Sequence, residues 1–299
     1  MAQPRANLPP DRLVAGATAD GAATVCAVNL TRGVETARSA HETLPVATAA
    51  LGRTMAGALL LAQGLKAPER LTLRILGNGP LGALVADASP TGEVRAYVQN
   101  PRVMLPPNDR GKLDVGRGVG HEGLVHVSHD TGLRYPYTGS VPIVSGEIGE
   151  DIAHYLATSL QVNAAVAVGV RVGTGGVVLG AGGILVQRLP DGDLATIDRL
   201  ERALSDLGPV SSAIAAGADA RQLVEAVVAQ AGHGELTELD AMFRCTCNRE
   251  RTAQVMASLG NEALDEMIED GDGAEVRCQF CGAVYRFDAD ELRAMRSPV

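Results

Sequence analysis

Four of the five cysteines in this 299-residue chain lie in its last fifth, as C-x-C at Cys245 and Cys247 and as C-x-x-C at Cys278 and Cys281, with thirty residues between the pairs. No other feature constrains the fold as much. Four sulfurs in a short segment make the soft, tetrahedral donor set that zinc prefers. The second pair, followed by Gly282, is the tight knuckle in which one turn presents two thiolates. About sixty residues with few large apolar side chains bury too little surface to fold unaided, so a staple is expected.

The C-x-C pair is less ordinary. In extended backbone its two α-carbons would lie about 6.7 Å apart, near the upper limit for a disulfide. Bonding Cys245 to Cys247 would need local rearrangement, and a strained bond is a labile one. Sulfurs joined in a disulfide no longer hold a metal, and a small unit stapled by metal loosens when the metal leaves. The residues alone leave three options open: a metal site, disulfides, or each in a different state. The expected metal is zinc, one per chain, on Cys245, Cys247, Cys278 and Cys281. Cys26, alone in the apolar stretch AATVCAVNL, is expected to be a small core residue outside the site.

Ahead of this segment, residues 1–190 are expected to form an α+β core domain, a mixed sheet with packed helices. RLVAGATADGAATVCAVNL, RLTLRILG, EVRAYV, GLVHVSH and GGILVQRL alternate or run apolar as strands do. PVATAALGRTMAGALLLAQGLK and EIGEDIAHYLATSLQ are expected helices. Turn signals at Gly77–Pro80 and Ser89–Gly92 favour antiparallel hairpins over a regular βαβ array. The character changes near Pro190. Leu194, Ile197, Leu200, Leu204 and Leu207 recur at helical spacing, and DARQLVEAVVAQAG offers an Asp219/Gln222 capping box. Residues 191–240 therefore present as a helical linker without a strand partner, resting on something larger. The C-terminal domain, 241–299, is expected to hold helices at 248–259 and 262–269 broken by Gly260 and Gly271. Two short strands around the cysteine knuckle and a closing helix capped by Asp288 and Glu291 would complete it.

Several functions are disfavoured. A net charge of −9, three Phe and no Trp argue against nucleic acid as a partner, because phosphate binding rests on Lys and Arg and single strands on aromatic platforms. No uninterrupted apolar run reaches the ~18 residues of a membrane span, and MAQPRANLPPDRLV lacks a secretory h-region. No membrane association is expected, and the cytoplasm is the expected location, where clustered cysteines bind metal or sense redox state. Gly77–Gly82 fits G-x-G-x-x-G, but Pro80 removes a donor and a strand follows, so a hairpin is expected there. His121 and His126 sit five apart, off a common helix face, and His126 and His129 are expected at a surface or turn. GTGGVVLGAGG lacks the Lys-Ser/Thr of a phosphate loop. No catalytic constellation emerges, so an enzyme is not expected.

The residues Phe243–Arg251 (FRCTCNRER) and Val276–Cys281 (VRCQFC), with Tyr285 and Phe287 after them, resemble the redox-regulated heat-shock chaperones, the thirty-three-kilodalton heat-shock protein family. GNGPLG at 77–82, YTGSVPIVSGEIGEDIAHYLATSLQ at 137–161 and AGGILVQRLP at 181–190 extend the likeness over nearly the whole chain. Asn248 stands where the family commonly has serine, and Leu160 where it has an acidic residue. The resemblance implies an ATP-independent holdase for unfolding client proteins under oxidative stress. It also implies zinc on the four cysteines when reduced, and redox-active disulfides Cys245–Cys247 and Cys278–Cys281 with zinc release when oxidised. Loosening of the zinc domain and linker, and a homodimer in the active state, would follow. The rival expectation is a static zinc-ribbon-like module that mediates protein or nucleic-acid interactions.

Overall fold

The computed structural model describes residues 9–269 and 273–296 and divides the chain into two compact units, 1–244 and 245–299. Residues 1–8, part of the stretch expected to lack a secretory h-region, lie outside the described residues, as does Gly271.

In the first unit a hairpin of β1 (Arg12–Ala17) and β2 (Ala23–Asn29) is followed by α1 (Thr31–His41) and α2 (Pro45–Ala62). Three strands come next, β3 (Arg70–Gly77), β4 (Ala83–Ala88) and β5 (Glu93–Val98), then α3 (Val115–Val119), β6 (Gly123–Asp130) and β7 (Tyr137–Pro142). After α4 (Gly149–Ser159), the glycine-rich stretch folds as a hairpin of β8 (Ala164–Val172) and β9 (Val178–Arg188). Helices α5 (Leu194–Asp206), α6 (Val210–Ala215) and α7 (Ala220–Val228) precede two short strands, β10 (Thr237–Asp240) and β11 (Met242–Phe243). One sheet has the order β10-β1-β2-β9-β8 and the other β11-β5-β4-β3-β6-β7. This is the α+β architecture expected from the alternation.

Patterning explains the layers. In β3, Leu71, Leu73 and Ile75 are buried while Arg70 and Arg74 are exposed, the period-two signature of a sheet with one covered face. In β2 and β9 nearly every residue is buried, because the first sheet is covered on both sides. Against one face lies α2, which also touches β3, β4 and β5 of the second sheet. Its sequence is apolar all round, as a helix enclosed on every side must be. By length and composition α2 could cross a membrane, yet 83% of it is buried inside the fold.

Against the other face of the first sheet lie α5, α6 and α7. Asp193 caps α5 through the Thr196 amide at 3.1 Å, and Asp219 and Gln222 cap α7 reciprocally at 2.8 and 3.0 Å. Their apolar stripes, with Leu200, Ile214, Leu223, Val224 and Val227, pack on Val14, Val25, Ala27, Ile184 and Val186. Each buried Leu, Ile or Val among them contributes about 1.5–3 kcal/mol.

The stretch 191–240 does have a strand partner, contrary to the expectation. Residues 237–240 form β10, antiparallel to β1, since TELD is extended and Thr237 Oγ1 donates to the Ala15 carbonyl at 3.1 Å. Met242–Phe243 then pairs in parallel with β5. This pairing keeps residues 241–244 in the first unit and puts the division after Arg244 rather than after residue 240. The chain crosses the Ser89–Gly92 turn so closely that a Cβ on Gly92, at φ +85°, would lie 2.0 Å from the Asp240 carbonyl oxygen. Only glycine fits.

Gly77–Gly82 is the β3–β4 hairpin connection, with Leu76 opposite Ala83. His126 and His129 stand half-buried on β6, against Ser140 Oγ at 2.7 Å and Glu69 Oε2 at 2.9 Å. Cys26 is 5% exposed in β2, and burial pushes its thiol far above the ordinary range.

Candidate metal centre

The second unit carries α8 (Arg249–Ala257), α9 (Asn261–Glu269), the hairpin β12 (Ala274–Arg277) and β13 (Val284–Phe287), and α10 (Ala289–Ala294). Its buried core is small: Met256, Leu264, Phe287 and Leu292, with side chains such as Val276 and Tyr285 partly buried around them. Such a core is marginal without a staple.

Local chemistry sets the position of each sulfur. Asn248 ends the extended Cys245–Cys247 segment by capping α8, its side chain accepting from the Arg251 amide at 2.8 Å. Arg251 reaches back to the Thr246 carbonyl at 3.0 Å and braces the C-x-C backbone. On the other side, the Cys278 amide donates to the Ala283 carbonyl at 2.9 Å and the Gly282 amide to the Cys278 carbonyl at 2.8 Å. That turn needs φ +72° at Gly282, a conformation costing other residues about 1–2 kcal/mol. Asp288 and Glu291 cap α10 reciprocally at 2.9 and 3.0 Å. Arg249 stacks its guanidinium 4.5 Å from the Phe287 ring centroid and pairs with Glu291.

These devices bring the four predicted ligands together. The Sγ atoms of Cys245, Cys247, Cys278 and Cys281 all lie within 4.8 Å of one another, each residue half-buried. Cys245 and Cys278 approach to 3.7 Å and Cys247 and Cys281 to 3.3 Å. Four sulfurs tetrahedral about zinc at ~2.3 Å stand about 3.8 Å apart, so the donor set and spacing fit a four-coordinate metal ion. Sequence reasoning attached no role to Tyr285, whose hydroxyl donates to Cys247 Sγ at 3.2 Å. The available signal was its place four residues after Cys281, in the strand where it pairs with Val276 near Cys278.

The electrostatics are uneven. At Cys247, burial pushes the thiol up, but hydrogen bonds from Tyr285 and the neighbouring cysteines outweigh it and hold the thiol at about 7. Burial raises Cys278 and Cys281. Tyr285 is pushed up to about 12, chiefly by its hydrogen bond to Cys247. The hydrogen bonds at Cys247 thus favour its thiolate, the form that is both metal ligand and nucleophile toward oxidants.

Comparison with known proteins agrees with this geometry. The family model described as Hsp33 protein matches residues 11–288. The chain belongs to the Hsp33 family. Among Hsp33 relatives, the 33 kDa chaperonin of Bacillus subtilis (strain 168) is 42% identical over 287 residues, covering 96% of this chain and 98% of that one. The 33 kDa chaperonin of Symbiobacterium thermophilum is 46% identical over 283 residues, covering 94% and 96%. The crystal structure of the 33 kDa chaperonin (heat shock protein 33 homolog) from Thermotoga maritima superposes with a TM-score of 0.89 at 34% identity, over 96% of this chain and 98% of that one. The Hsp33 likeness thus spans both units.

Proposed function

We propose that this protein is a redox-regulated, ATP-independent holdase for unfolding client proteins. The observation that carries the reading is the convergence of four half-buried sulfurs within 4.8 Å in a unit whose own apolar core is too small to hold it unaided. The relatives named as 33 kDa chaperonins support the chaperone class.

In the resting state Cys245, Cys247, Cys278 and Cys281 hold one zinc ion as thiolates and thereby fold the unit. A peroxide or hypochlorite then oxidises the four thiolates to two disulfides. With peroxide, two thiolates give up two electrons to form each disulfide, one O–O bond is cleaved, and two protons from solvent complete two waters. The oxidised sulfurs no longer act as ligands, so zinc leaves and the unit loosens. The pairing Cys245–Cys247 and Cys278–Cys281 rests on the family resemblance, since all four sulfurs lie near one another. Loss of the anchor frees α5, α6 and α7, whose stripes cover one face of the first sheet, and clients dock on the apolar surface so exposed. The active species is a homodimer, working in the cytoplasm.

Peroxide at mildly elevated temperature should release about one zinc per chain, by a chromogenic chelator, and switch on suppression of client aggregation. Oxidised protein that keeps its zinc, or zinc release with unchanged anti-aggregation activity, would overturn this reading. It would favour a static zinc-ribbon-like module instead.

A further inference from the structure

Between α2, the loop at 111–113, the edge strand β8 and the α5–α6 turn lies a cavity of about 450 Å³. Three cationic side chains line it, Arg53, Lys112 and Arg171, together with Ser211 and Ser212 at the start of α6. Such a concentration is unexpected in a chain of net charge −9. Lys112 and Arg171 are exposed, and among the described residues neither forms an ion pair. Arg53, 18% exposed, uses Nη1 for the Glu147 carboxylate and carbonyl, while its Nε is buried and meets no acceptor among the described residues. No acidic side chain among the described residues lines the cavity, and Asp114, next to Leu113, caps α3 through the Arg117 amide at 3.1 Å.

Like charges gathered around a concave, partly apolar wall repel one another and concentrate counter-ions. Charge-assisted bonds from two guanidinium groups and an ammonium suit a compact ligand with several acceptor oxygens. Among the described residues no aromatic ring lines the cavity, so none of them stacks on a base or ring there. We propose that this cavity binds a small dianionic oxyanion, phosphate or dicarboxylate, whose occupancy ties the α5–α6 turn to α2 and β8. One wall belongs to the helices that cover the first sheet and the others to the core beneath, so a bound ion must be released before α6 can lift. At about ten times Kd, the opened population falls about elevenfold. The consequence for chaperone activation rests on the function proposed above, whereas the site and its hold on α6 do not.

The test uses the full, reduced chain with hydrogen phosphate and, separately, succinate, two dianions that chelate zinc weakly. Amide NMR titration at low ionic strength should show saturable shifts confined to residues 49–53, 111–113, 167–172 and 208–212, with hydrogen exchange slowed over Val210–Ala215. Lys112→Glu with Arg171→Glu, both exposed, should weaken binding at least tenfold with an unchanged melting temperature. Binding of phosphate alone or succinate alone supports the site and names its source. Absence of saturable shifts with both at millimolar concentration overturns the proposal. So does binding that survives the double charge reversal, or that leaves exchange at 210–215 unchanged.

Discussion

Replacing Leu223 by alanine tests the link between the helical cover and activity without touching a cysteine. Leu223 is 1% exposed in α7 and belongs to the cluster formed with Val14, Val25, Ala27 and Ile184 of the first sheet. Truncating a buried leucine costs about 2–5 kcal/mol, the transfer free energy plus the cavity left behind. The loss falls on the docking of α5, α6 and α7, because that cluster is their contact with the sheet. At about 3 kcal/mol, the ratio of lifted to docked cover rises more than a hundredfold. Fully reduced Leu223→Ala should therefore exchange amide hydrogens faster over residues 194–228 than in β3 or β6. It should also suppress client aggregation without peroxide while keeping its zinc. Glu225→Ala, exposed on the same helix, is the control and should do neither. Faster exchange without gained activity would refute the claim that the covered face is what clients need. Unchanged exchange would refute the packing argument itself.

Three further outcomes are expected. Gly282→Ala puts a side chain at φ +72° and should cost about 1–2 kcal/mol, read as roughly tenfold weaker zinc affinity in a chelator competition. Asp151→Ala strands the amides of Val144, Ser145, Gly146 and Ile148, which the buried carboxylate accepts at 2.8–3.3 Å; urea unfolding should show a loss of at least about 3 kcal/mol, partly recovered by Asp151→Asn. Asp11 accepts from the Arg32 and Gly33 amides at 3.0 and 2.7 Å, but burial outweighs them and raises its carboxyl from 3.8 to about 6. Its folded form thus holds a proton that the unfolded chain has already lost, so stability falls as pH rises from about 4 to about 6. The loss is at most about 3 kcal/mol. A carboxyl carbon NMR titration with a midpoint near 4 would contradict it.

The four-cysteine cluster was largely legible in the sequence, for a local reason. Two cysteine pairs, a glycine after the knuckle and the Asp288–Glu291 cap each act within a few residues, and local chemistry alone orients them. Helices α5 and α7 were legible in the same way, since apolar residues at three- and four-residue spacing and side-chain caps are read along one strip of chain. Strands of the second sheet were visible where one face is covered, as in RLTLRILG, and less so where both are. The run from Ala164 to Val186 shows no alternation because β8 and β9 sit between two layers, so its period disappears and only its glycines mark the turn.

The sequence by itself determined the donor set, the cap residues and the amphipathic stripes, because each depends on side-chain type and short-range spacing. Tertiary structure alone decided where those stripes lie and what they cover. Nothing in TELD or Met242–Phe243 announces that one pairs with β1 and the other with β5, since strand partners more than a hundred residues away are chosen by which edges the folded core leaves open. Likewise, Tyr285 joins the sulfur cluster only when the β12–β13 hairpin closes, and Arg53, Lys112 and Arg171 become neighbours around one cavity only when α2, a loop and β8 pack together. These are non-local pairings, and free energy of burial rather than local propensity selects them.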